Sequence, residues 1–209
     1  MELSSETIQN HIPKYLTEPL QRELLENLKS FPEKFNYYWY RSKTEAEILQ
    51  GDGWRGLELI DFETKEHRSV KGIVLSNSCD IAPENKRDNP SRVVFAPLIR
   101  LSSLKALWND AGIPKAVVED KVSNIRLQRN TKIFYLPAGA GLEDEYIAHL
   151  DDVYSYPASV LLSNEKRQRL FALTTAGFYL FIIKLTVHFC RLHEGVLRTS
   201  EQDAGAGTP

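Results

Sequence analysis

The sequence predicts a mainly β, α+β fold: a small, bent antiparallel barrel with N-terminal, inserted and C-terminal helices. Three observations point there. About seven short apolar or alternating runs, punctuated by turn formers, lie between residues 50 and 173. Helical periodicity is confined to 18–31, 102–129 and 175–194. The strand runs account for roughly half of the chain, so the helices must cover the barrel's open ends or mediate assembly.

Taken in order, Leu20, Leu24, Leu25, Leu28 and Phe31 form the apolar stripe of the first helix. Thr17 caps it, Pro19 suits its first turn and Pro32 stops it. The aromatic run Phe35 to Tyr40 reads as a strand laid across a core, with base stacking as the alternative use of such rings. Gly51-Asp52-Gly53 is a turn. After it Leu57 and Leu59 alternate with polar residues, then Ile60 and Phe62 do so one residue out of phase, which predicts a β-bulge between Leu59 and Ile60. Thr64 to His67 turns the chain into a strand ending at Leu75. The next strand, Val93 to Ile99, contains Pro97, so it is expected at an edge or bent there.

Ser102 or Ser103 is expected to cap an inserted helix carrying Leu104, Leu107, Trp108 and Ala111, which Gly112 and Pro114 end. A second inserted helix presents Val118, Val122 and Ile125 on one face. Strand pattern resumes at Lys132–Pro137, at Glu145–Tyr156, at Ser159–Leu162 and, after a turn at Ser163–Lys166, at Leu170–Leu173. Thr174 or Thr175 caps a final helix that ends near Glu194-Gly195. Residues 1–197 read as a single domain and 198–209 as a flexible tail with nothing to bury.

With 209 residues, 42% of them hydrophobic and 26% charged, this is an ordinary globular composition. A net charge of −2 excludes a chain-wide polyanion binder, so contact with nucleic acid needs a local basic patch. Lys115, Lys121, Arg126, Arg129 and Lys132 offer one candidate and Lys166 to Arg169 another, but both read first as a solvated helix face and a hairpin turn. Cys79 and Cys190 lack paired spacing, which argues against a disulfide framework or a zinc ribbon, and Cys190 reads as a buried small hydrophobe. The first residues have no signal-peptide pattern, so a cytoplasmic location is expected. Leu170 to Cys190 approaches the length of a membrane span, but Thr174, Thr175, Lys184 and His188 interrupt it, and no span is expected.

The segment that draws most functional interest is Ser76-Asn77-Ser78-Cys79-Asp80, where an apolar strand hands five polar or nucleophilic side chains to a loop. Cys79 could act as a nucleophile beside Asp80, or Asp80 could join a metal site. A thiolate needs a neighbouring base or cation, and nothing in the pattern brings His11, His67, His149, His188 or His193 to it. The simpler reading makes Ser78 and Asp80 turn caps. With Arg100, these five residues are the candidate binding set, with no metal ligands and no cofactor. No P-loop, dinucleotide-binding glycine pattern, zinc-protease motif or nucleophile elbow is present.

The order of elements resembles the MazF/PemK-type toxins, whose fold is a small SH3-like barrel. The resemblance is carried by Gly51-Asp52, by Ile73-Val-Leu-Ser-Asn77, by Phe95-Ala-Pro-Leu-Ile-Arg-Leu-Ser102 and by Tyr146-Ile-Ala-His-Leu-Asp-Asp-Val153, over roughly residues 50–160. It implies a metal-independent endoribonuclease with Arg68 as the basic group and Ser102 or Ser103 as the hydroxyl. Where the family has an Arg-Pro pair, this chain has Arg68-Ser69. The expectation placed first is therefore a toxin-like barrel that binds a partner protein or nucleic acid, in a bacterial or phage stress or defence system. The ribonuclease is the alternative, and a homo-oligomer is compatible with either.

Overall fold

The computed structural model describes residues 17–39, 47–61, 64–82, 85 and 89–190. Their elements are, in chain order, α1 (Glu18–Lys29), β1 (Tyr38–Trp39), β2 (Gly53–Ile60), β3 (His67–Val74), α2 (Ser78–Ile81), β4 (Arg92–Arg100), α3 (Leu101–Asp110), α4 (Lys115–Arg126), β5 (Ile133–Leu136), β6 (Tyr146–His149), β7 (Tyr154–Pro157), α5 (Ala158–Ser163), β8 (Gln168–Leu173) and α6 (Thr175–Phe189). The strands form one antiparallel sheet in the order β1-β8-β2-β3-β4-β6-β5, with β7 also on β4. The mixed, mainly β prediction agrees with this arrangement.

The sheet curls into a half-barrel, and its two ends come within hydrogen-bond reach. Gly141, in the loop leaving β5, donates its N–H to the Leu170 carbonyl of β8 at 2.8 Å. The Tyr38 hydroxyl of β1 donates to the Pro137 carbonyl at 2.6 Å. A Cβ at position 141 would lie 2.6 Å from that Leu170 oxygen, so glycine is what allows the loop to close. Alternation along the strands feeds two cores on opposite faces. Ile73 and Ala96 face one with Phe134, Ile147 and Phe181; Val74 and Phe95 face the other with Trp54, Leu57 and Leu161.

Two strand predictions, and the edge alternative for the strand with Pro97, are corrected. The bulge lies between Arg55 and Leu57, where Gly56 takes φ +85°, and Leu59 and Ile60 pair regularly with Arg68 and His67. Glycine at positive φ is the cheaper place for the extra residue. β4 is central: around Pro97 it pairs with β3, while its N-terminal half pairs with β7 and its C-terminal half with β6. The proline, which has no N–H for the ladder, marks the point where β4 changes partner. Ser159–Leu162 is helical, because Pro157 leads into α5 and Ala158 and Leu161, three residues apart, are both buried.

The helices follow local signals more closely. Leu24 of α1 is buried, with Leu25, Leu28 and Phe31 half-buried; the Leu20 side chain is outside the described part. Tyr37 and Tyr38 are both buried, as a strand crossing a core requires, whereas Trp39 is 59% exposed. Val118, Val122 and Ile125 form the buried face of α4, and Gly112 follows α3 at φ +72°. The Thr174 hydroxyl accepts the Gly177 N–H and begins α6. Gly177, Phe181 and Lys184 make the inward stripe of α6, with Phe178, Leu180 and Ile183 half-buried and Val187 exposed. Phe181 meets Phe134 at 5.1 Å between ring centroids. Cys190 is exposed at the end of α6, where the stripe has rotated away, contrary to the buried reading. Among the described residues no helix is long and apolar enough to cross a membrane. Tyr40, Phe62, His11, His193, Glu194-Gly195 and the tail lie outside the described residues.

Candidate functional site

The polar cluster after β3 is built into the backbone. Ser76 Oγ accepts the Val94 N–H at 2.6 Å and donates to the Arg92 carbonyl. Asn77 Oδ1 accepts the Cys79 N–H at 3.0 Å and so caps the single turn α2. Ser78 Oγ accepts the Gln50 N–H at 2.9 Å. Cys79 and Asp80 are exposed on that turn, and the Cys79 carbonyl accepts from Asn85. Ser76 thus ties the end of β3 to β4 and Ser78 ties α2 to the segment before β2, while Asn77 caps its own turn; Ser78 does not cap the following loop as expected.

The residues implied by the toxin resemblance stand apart. Arg68 is on β3 beside the β2–β3 turn, 3.3 Å from both Asp61 and Glu66. Ser102 lies inside α3, which begins at Leu101 without a side-chain cap, so the capping role expected of Ser102 or Ser103 is corrected. Its hydroxyl donates to Asp144 Oδ2 at 3.0 Å, and Ser103 is exposed. β3 pairs with β4 only over Gly72–Val74, which leaves Arg68 four residues beyond the ladder that leads to α3.

What the fold does assemble is a charged cluster where β3, the end of β4 and the start of β6 meet. Glu143 Oε1 accepts from Lys71 Nζ at 2.7 Å, from Arg100 Nη2 at 2.9 Å and from the Tyr146 hydroxyl at 2.7 Å. Lys71 also reaches Glu143 Oε2 at 2.5 Å and sits 4.8 Å from the Tyr146 ring centroid. The next two residues repeat the theme: Asp144 takes Ser102, while Glu145 takes Arg126 at 2.7 Å and the Tyr135 hydroxyl at 2.6 Å.

This pairing sets the electrostatics. The Lys71 bond, then those from Tyr146 and Arg100, hold the Glu143 carboxyl far below the usual carboxylate range. Bonds to Tyr146 and Glu143 push the Arg100 guanidinium further up. Desolvation pulls the Lys71 ammonium down, but Glu143 and Tyr146 outweigh it and its pKa is raised. Near neutral pH, Glu143 is therefore a poor proton acceptor and Lys71 a poor donor, so the cluster is suited to holding charge rather than moving protons. Among the described residues no group of three or more His, Cys, Asp or Glu side chains could hold a metal ion.

A second charged site is buried. Asp52, only 3% exposed, lies 3.5 Å from Arg169 Nη1, and Arg169 sits 6.0 Å from the Trp54 ring centroid. Burial, partly offset by Arg169, pushes the Asp52 carboxyl up to about 7.

Of the expected site residues, only Arg100 belongs to the Glu143 cluster, with Ser102 beside it on Asp144. Lys71, Glu143 and Tyr146 were not anticipated; the one signal for them was the acidic run Glu143-Asp-Glu145 between two strand patterns. Compared with family models and with curated proteins, the sequence matches none.

Proposed function

We propose that this protein is a binding module that engages a partner protein through the end of β4, α3 and residues 143–146, in a bacterial or phage stress or defence system. The observation that carries this reading is the charge balance of that face. Lys71, Arg100, Lys105 and Arg126 each face a carboxylate within 2.9 Å. Affinity for nucleic acid comes from cations free to replace counterions on phosphates, and a paired cation must first give up its carboxylate. A protein interface uses such a surface directly, with a polar rim around apolar anchors. The exposed large apolar side chains on β4 and α3 are Ile99, 37% exposed, and Leu107, 64% exposed.

The test has two arms. The protein is co-expressed with the products of its neighbouring genes and the mixture is resolved by size exclusion; a stoichiometric complex weakened by Leu107→Glu is expected. In parallel it is incubated with mixed-sequence RNA in EDTA, beside Arg68→Ala and a Ser102→Ala/Ser103→Ala double variant. Cleavage that survives EDTA and is lost in those variants would replace this reading with the metal-independent ribonuclease.

A further inference from the structure

The Tyr146 hydroxyl accepts from Lys71 Nζ at 2.8 Å and from Arg100 Nε at 3.3 Å, and its own proton is directed at Glu143 Oε1. Tyr146 is 3% exposed, sits opposite Arg100 in the β4–β6 register and is immobilised by the sheet. One fixed phenol oxygen therefore meets two cations side by side, through bonds additional to those that Glu143 makes. Two like charges this close call for an anion between them, and an oxyanion offered a guanidinium, an ammonium and a hydroxyl receives charge-assisted bonds. In this structure the anion is the chain's own.

Glu143 is a replaceable occupant. Its side chain is 49% exposed, and that of Arg100 is 54% exposed, so rotation about the glutamate's own bonds releases it to water without moving the backbone. The Arg100–Glu143 pair, exposed on both sides, contributes little net free energy, because water compensates both of its partners when they part. Lys71, whose side chain is 17% exposed, remains under the vacated position.

We infer that Lys71, Arg100 and Tyr146 form a seat for an external oxyanion, a phosphate or carboxylate group, which Glu143 fills until such a ligand replaces it. The seat lies on the face proposed as an interface and deepens that reading by naming the chemistry it recognises. Its geometry stands on the three donors alone.

The experiment compares the unaltered protein with Glu143→Ala by calorimetric titration, using inorganic phosphate in one arm and acetate in the other, at low chloride. An occupant that fills a site nine-tenths of the time weakens apparent affinity about tenfold, so removing it should tighten binding by about that factor. The arm that responds identifies the oxyanion. Adding Arg100→Ala to Glu143→Ala should abolish the gain. If Glu143→Ala melts too early to titrate, Glu143→Gln, which keeps the length and loses the charge, takes its place. Neither variant binding either anion more tightly than the unaltered chain overturns the seat, as does a gain that persists without Arg100. Partner capture is measured on the unaltered chain, so failure of the seat and failure of the binding-module reading are told apart.

Discussion

Lys184 gives the sharpest quantitative test of how the final helix is held. It is 6% exposed, and its ammonium donates to the Gln128 carbonyl at 2.8 Å and to the Asn130 carbonyl. These carbonyls belong to the loop that leads from α4 to β5. Desolvation pulls the amine from 10.5 down to about 8. Because the folded pKa is the lower one, the unfolded chain holds more protons between these values, and stability rises with pH through that window. From about pH 7 to about pH 9.5 the gain amounts to about 2 kcal/mol. Tyr37, Tyr135, Tyr154 and Tyr156, all pushed up from 10.0 chiefly by burial, oppose this gain as pH approaches about 10, but they do so in the reference variant as well and cancel in the comparison. Urea unfolding across this range, with Lys184→Met as the reference, isolates the effect: the unaltered chain should gain stability relative to the variant as pH rises. Parallel pH curves for the two proteins would refute the claim that a buried charged lysine is being relieved.

Two further predictions follow from burial. Phe181 is fully buried against Phe134, so Phe181→Ala should cost about 3–5 kcal/mol in chemical denaturation, whereas Phe189→Ala, at a site 59% exposed, should cost under about 1 kcal/mol. Asp52, whose folded pKa of about 7 lies above its ordinary 3.8, binds its proton more tightly when folded, so its contribution falls by about 2–3 kcal/mol between about pH 5 and pH 7.5. Asp52→Asn should flatten that slope, and an unchanged slope would assign the titration elsewhere.

Local chemistry was legible in the residues themselves. Val118, Val122 and Ile125 share one face because α-helical spacing dictates it, and Thr174 begins α6 because a hydroxyl can accept an orphan N–H wherever it stands. The predominance of short strands and the places of the three helical regions follow from the same short-range rules. At the end of β3 the capping side chain is Asn77, whereas Ser78, expected to cap the following loop, accepts the Gln50 N–H from the segment before β2. Periodicity leaves open which strands neighbour one another. Pro97 is compatible with an edge, yet β4 is central, because β6 and β7 divide its far side between them at that proline. Arg68 and Lys71 are three residues apart on one strand and read alike as surface cations. The β2–β3 turn gives Arg68 to Asp61 and Glu66 nearby in the chain, whereas curling the sheet carries Lys71 to Glu143, 72 residues further along. A site made of single residues from three strands and a loop leaves no spacing in the sequence, because its distances are set by sheet closure and not by the chain that links its members.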